Sequence, residues 1–162
     1  MNKENAGNGA LDQTELSRYP GYLLARARWQ AFRNFERNIG RPLSLRPVEY
    51  SILLLLHTNH GASQRQLAQA LGVAAPNMTG ILRRLQERGL IERVRAEEDR
   101  RMQSITLSAK GRKLLQRARD AGRDMDTAWL ARLSPGEQAL LMELLAKLSQ
   151  PAAPPEGGAT DE

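Results

Sequence analysis

Apolar side chains along this chain recur mostly at helical spacing. From Pro20 onward, Leu24, Ala27, Ala31, Phe35 and Ile39 fall on one face at a period of 3.6 residues, which predicts a helix over about 20–40 with Gly40 and Pro42 as its stop. A second helix is expected to open near Ser44–Pro47 and to carry Val48, Ile52, Leu53, Leu55 and Leu56 as far as Thr58, before a turn at Asn59-His60-Gly61. Ser63-Gln64-Arg65-Gln66 has the spacing of a capping box, in which the hydroxyl and the glutamine side chain satisfy each other's orphan amides. A short helix should follow to Leu71, and another should span Ala75 to Arg88 and stop at Gly89.

The period then changes. Leu90–Arg95 and Met102–Leu107 are short, alternate roughly and contain β-branched residues, so they read as a hairpin around the charged loop 96–101. Ser108 can cap a long helix running toward Arg132, and Ser134-Pro135-Gly136-Glu137 opens a last helix bearing Leu140, Leu141, Leu144, Leu145 and Leu148. The fold class is therefore mainly α with a small β-hairpin, in one domain over 11–150. Residues 1–10 are expected to form a disordered arm. Residues 151–162, with no large apolar side chain to offset ordering entropy, are expected to form a disordered acidic tail.

Composition narrows the function. A length of 162 residues suits one core. The absence of Cys excludes a disulfide framework, a thiolate zinc site and a thiol redox sensor. The longest apolar run is Ile52–Leu56, far below the roughly 20 residues of a bilayer span. Met1–Gly9 is polar and unlike a secretory leader, so no membrane association and a cytoplasmic, nucleoid-associated location are expected. With two His, no metalloprotease motif, no phosphate-cradling glycine loop and Ser residues that already serve as caps, neither an enzyme nor a cofactor is expected. His57 and His60 have a spacing that can ligate metal on a helix, but His60 falls in the expected turn, so no metal site is assigned.

Charge is unevenly spread. Residues 19–150 carry a net +10 while the two ends are acidic, and 83–119 hold 12 basic against five acidic groups. Arg outnumbers Lys 20 to 4, and guanidinium groups grip phosphates and guanine edges in bidentate fashion. A basic surface on an ordered domain suits a nucleic acid. The strands lack the exposed aromatics that stack RNA bases, which favours a duplex.

The segment from Gln66 to Ile81 carries the most information. Ala68 is small where two helices would cross closely, and four residues later Gly72 tolerates the positive φ of a sharp turn. Leu67, Leu71, Val73, Met78 and Ile81 would join the helices. Pro76, Asn77, Thr79, Gly80, Arg83 and Arg84 remain outward, a surface suited to a recognition helix in the major groove. An αα-hairpin in a bundle explains the leucines equally well but leaves the arginines and the hairpin unexplained. The order of helix, helix, basic-tipped hairpin and long helix is that of a winged helix-turn-helix, with Asp99, Arg100 and Arg101 at the wing tip, where Asp99 could hold an arginine.

These residues resemble the MarR family of bacterial transcriptional regulators. The resemblance rests on Leu43–Leu54, Ser63–Ala68, Leu82–Arg93 with its Leu-x-x-Arg-Gly-Leu-Ile, the Asp99-Arg100-Arg101 wing and Ile105–Arg112, and it covers about 40–115 closely. It implies a winged helix over about 44–107, flanked by N- and C-terminal dimerisation helices (about 20–40 and 108–148). It also implies that Asp99 and Arg101 form the wing pair, with Arg101 the minor-groove finger. Two departures stand out. Ala74 replaces the usual polar cap before the recognition helix, costing about 1 kcal/mol, and Pro47 denies Ser44 a full capping box.

The resemblance further implies a homodimer on a pseudo-palindromic operator and a small aromatic or phenolic acid effector that releases a repressor. Tyr22, Trp29 and Phe32 could stack on its ring and Arg46 could pair its anionic group. Core or dimer packing and an ordinary surface charge account for the same residues. A ligand-independent DNA-binding or architectural regulator is the alternative.

Overall fold

The computed structural model describes residues 11–59, 61–95 and 103–150. After a 3-10 turn at Leu16–Arg18 come α1 (Pro20–Phe35), a π-helical turn (Glu36–Gly40), α2 (Arg41–Leu43), α3 (Pro47–Thr58), α4 (Gln64–Leu71) and α5 (Ala75–Glu87). The strands β1 (Ile91–Arg95) and β2 (Gln103–Leu107) follow, and α6 (Ala109–Leu130) and α7 (Pro135–Ser149) complete the chain. It divides into two compact units, Met1–Met125 and Asp126–Glu162.

The predicted end of the first helix is corrected by the structure. Helical backbone does not stop at Gly40 and Pro42. The Arg41 amide donates to the Glu36 carbonyl, five residues back, and the wider turn leaves Pro42 in the opening positions of α2, where a missing N–H costs little. The end comes at Ser44, which takes a left-handed φ of 50°. Ser44 is therefore a helix-ending residue and does not cap α3. The position before α3 belongs to Arg46, whose amide donates to Glu49 Oε2 at 3.0 Å, the one half of a capping box that an arginine can make.

The core of the first unit draws on every element from the π turn to α6. Ile39, Ile52, Leu53, Leu67, Met78, Leu82, Leu85, Leu90, Ile105 and Leu115 are all fully buried. Each such side chain contributes about 1.5–3 kcal/mol by leaving water. The hairpin is antiparallel, with Ile91 opposite Leu107 and Arg95 opposite Gln103. Ile91, Ile105 and Leu107 face the core, while Glu92, Arg93 and Val94 are exposed. Reciprocal bonds between Ala62 and Ile105, at 2.9 and 3.1 Å, add the segment before α4 to the edge of β2 and so tie the wing to the helix pair.

The exit from α5 is closed by the start of α6. Gly89 has a φ of 67°, and its carbonyl accepts from Ser108 Oγ at 2.6 Å. Ser108 Oγ itself accepts from the Gly111 amide at 2.9 Å, and Lys110 Nζ donates to the Arg88 carbonyl at 2.8 Å. Ser108 thus caps α6, as its position suggested, while satisfying a carbonyl at the end of α5. The approach is so close that a Cβ on Gly111 would lie 2.0 Å from the Leu90 carbonyl oxygen.

In the second unit, Ser134 and Glu137 form the expected capping box of α7. The Ser134 amide and hydroxyl hold the Glu137 carboxyl below its ordinary value. Gln138 Nε2 donates to the carbonyls of Leu130 and Leu133, fixing the turn between α6 and α7. Leu140, Leu144, Leu145 and Leu148 on α7 remain exposed.

Gly111→Ala should destabilise the protein by about 1–3 kcal/mol, the range for overpacking, because the obstructing atom is backbone. A lowered urea midpoint at unchanged slope would show it; an unchanged midpoint would mean that α6 can slide away from Leu90 without loss.

Candidate nucleic-acid interface

The pair α4 and α5 is built as its residues suggest. Ser63 Oγ accepts from the Gln66 amide while Gln66 Oε1 accepts from the Ser63 amide at 2.8 Å, which starts α4. Gly72 ends it with a φ of 60°, and the Val73 amide returns to the Ala68 carbonyl at 2.9 Å. Helix α5 then buries Met78, Ile81, Leu82 and Leu85. It begins at Ala74 with no side-chain cap, and Pro76 lies in its first turn.

The opposite face of α5 does not treat all six candidate residues alike. Pro76, Asn77, Thr79 and Arg83 are exposed, whereas Gly80 and Arg84 are half-buried. Thr79 Oγ1 accepts from Gln64 Nε2 at 2.7 Å and donates to the Ala75 carbonyl at 3.1 Å, so this hydroxyl already braces α5 against α4. Arg83 Nε lies 3.6 Å from Glu87 Oε1, but both groups are well exposed and such a pair costs little to break.

Arg84 is corrected by the structure. It does not stand free on the outward face, because its Nε lies 3.5 Å from Oε1 of Glu49, a carboxylate only 3% exposed on α3. The other oxygen of Glu49 lies 3.5 Å from Arg88 NH1, and Arg88 NH2 also reaches the Leu43 carbonyl at 3.3 Å. One buried acid therefore holds Arg84 of α5, Arg88 at its end and the amide of Arg46. A carboxylate removed from water requires such partners. Sequence reasoning passed over Glu49, Gln64 and Arg88. The first sits at the third position of a helix, where an acid ordinarily serves only as a cap.

Asp99, Arg100 and Arg101 lie outside the described residues, as does His60. His57 Nε2 is 3.1 Å from Arg119 NH1, so its ring accepts from a guanidinium. Among the described residues, no cluster of His, Asp or Glu could hold a metal. Nor is any helix long and apolar enough to cross a membrane.

The four suggested effector residues are not all joined by direct contacts. Trp29 and Phe32 stack at 6.2 Å and are both exposed. Tyr22 gives its hydroxyl to Gln13 Oε1 at 2.6 Å and carries the Arg26 guanidinium 5.8 Å over its ring. Among the described residues, no hydrogen bond, ring contact or ion pair joins Arg46 to these three.

Removing the carboxylate in Glu49→Ala should lower stability by about 1.5–3 kcal/mol, the worth of hydrogen bonds to a charged group. Glu49→Gln, which keeps an acceptor for the Arg46 amide, should cost less. Urea unfolding of both variants tests this, and equal, negligible losses would show that the arginines find water as readily as Glu49.

Comparison with known proteins agrees with this architecture. The MarR family model matches residues 45–102. A putative transcriptional regulatory protein for the hcr operon of Thauera aromatica is 34% identical over 128 residues, covering 79% of this chain and 77% of the relative. The structure of the transcriptional repressor CouR bound to a 23-mer DNA duplex superposes with a TM-score of 0.81 at 34% identity, over 88% of this chain and 100% of that one. CouR bound to p-coumaroyl-CoA matches with a TM-score of 0.78 at 32% identity, over 87% of this chain and 99% of that one. A helix pair braced by Gln64 and Glu49, a two-stranded wing and long flanking helices thus coincide with a matching family model and with relatives that share about a third of their residues, and the chain belongs to the MarR family of winged helix-turn-helix transcriptional regulators.

Proposed function

We propose that this chain is a sequence-specific, double-stranded DNA-binding repressor that acts in the cytoplasm as a homodimer on a pseudo-palindromic operator. Its release would come from a small aromatic acid, free or as a thioester. The observation that carries the reading is the exposed face of α5, where Pro76, Asn77, Thr79 and Arg83 stand out from a helix locked on its other side. An α-helix so presented fits the major groove, and short polar groups near its amino end can reach base edges. Arg84 then serves mainly to hold α5 through Glu49, and Gly80 allows close approach of the duplex backbone. The wing residues Asp99, Arg100 and Arg101 are assigned to the minor groove and phosphates from the family resemblance.

Dimerisation is supported by side chains left uncovered on each terminal helix considered separately. Leu23, Leu24, Trp29 and Phe32 on α1 are exposed, as are Leu140, Met142, Leu144, Leu145 and Leu148 on α7. An isolated chain would present these faces to water, and a second copy removes that cost. An aromatic effector is supported by CouR, a relative that binds p-coumaroyl-CoA. Tyr22, Trp29, Phe32 and Arg46 are retained as its candidate contacts.

Asn77→Ala and Arg83→Ala should each lose about 1–3 kcal/mol on the cognate operator and much less on random duplex. Arg101→Ala should weaken both alike and lower the salt slope by about one. Mobility-shift titrations at several salt concentrations separate these outcomes, and equal losses on both duplexes for Asn77 and Arg83 would assign them to phosphates.

Replacing Leu144 and Leu148 together by Asp should give a monomer that no longer binds the operator. Sedimentation showing an unchanged dimer that still binds would refute the assigned interface.

A further inference from the structure

A concavity of about 500 Å³ opens in the first unit where the end of α5 meets the start of α6. Its lining includes four cations, Arg88, Lys110, Lys113 and Arg117, and apolar surface from Ala109 and Leu114, with no carboxylate among the lining residues. The three cations of α6 lie at spacings of three and four residues, which puts them on one face of the helix. They also sit in its amino-terminal half, where the macrodipole adds partial positive charge at the first turn.

The fold itself accounts for only part of this charge. Arg88 answers Glu49, and Lys110 gives one hydrogen to the Arg88 carbonyl. Lys113 and Arg117 are exposed and have no ion pair or hydrogen bond among the described residues. Like charges gathered around a hollow repel one another unless an anion joins them. The hollow has the size of small-ligand sites, and its mixed lining suits a molecule with a flat apolar part and several phosphates.

We propose that this concavity binds a nucleoside polyphosphate, either free or as the coenzyme A portion of a thioester effector. Phosphates pair with Lys113, Arg117 and the free hydrogens of Lys110, while the base lies against Ala109 and the half-buried Leu114. The inference deepens the functional reading above and rests on it for its regulatory meaning, but binding itself can be measured without DNA.

Isothermal titration of the full chain with coenzyme A and, separately, with ADP provides the test. Saturable binding is expected. Tighter binding of coenzyme A identifies the thioester as the source, and equal binding identifies the free nucleotide. Lys113→Glu and Arg117→Glu, both at exposed positions, should each weaken binding about ten- to a hundredfold, the loss of a charge-assisted contact, and the milder Lys113→Gln should act in the same direction. No saturable heat with either ligand at millimolar concentration overturns the proposal, as does wild-type affinity in the charge-reversed variants. Weaker operator binding by the ligand-free variants, with a shallower salt slope, would also overturn it by assigning these cations to DNA phosphates. Operator release by a simple aromatic acid is assayed in parallel. Its failure while coenzyme A still binds counts against the effector reading and leaves this site standing.

Discussion

A carboxylate taken out of water must be paired, and the placement of α5 depends on how Glu49 is paired. Its two oxygens divide between Arg84 on α5 and Arg88 at the end of that helix, four residues apart, and one of them also receives the amide that begins α3. Apolar packing through Met78, Ile81, Leu82 and Leu85 would keep α5 in place but would tolerate some rotation about its axis, because buried methyl groups attract without direction. The carboxylate adds direction. With Gln64 bonding Thr79 from the other side, the helix is fixed near both ends by polar contacts, and the exposed residues between them are held at a set angle to whatever they meet.

The same device links α5 to the first part of the chain. Arg88 reaches past Glu49 to the carbonyl of Leu43, at the end of the helical run that includes the π turn and α2. Asn34 on α1 in turn donates to the Met125 carbonyl on α6 at 3.2 Å. A displacement of α1 or α2 would therefore act on directional bonds as well as on compliant packing. This is the physical form that coupling between an effector and a DNA-reading helix would need to take.

Much of the fold was readable from residue order because its boundaries are chemically marked. Ser63 with Gln66, Ser134 with Glu137, and Gly72 and Gly89 at positive φ fixed four helix ends to within a residue or two. The π turn was not readable, because Phe35 just before it and Ile39 within it keep to the helical spacing and both are buried. At the candidate site, composition placed arginines on α5 but could not separate Arg83 from Arg84. They are one residue, about 100° of helix, apart, and what distinguishes them is an acid 35 positions earlier in the chain. A long-range ion pair leaves no local pattern. The stacked Trp29 and Phe32 show the converse case, in which spacing alone made neighbours of two rings but could not say what lies against them.

Helix α5 begins at Ala74, a side chain that cannot accept a hydrogen bond, so its first amides have no side-chain cap. The free protein thereby forgoes about 1 kcal/mol of local cohesion, and that turn will be among the first to fray. Any partner that offers an acceptor there recovers what Ala74 withholds. Part of the grip on a target is thus stored as looseness in the unbound chain.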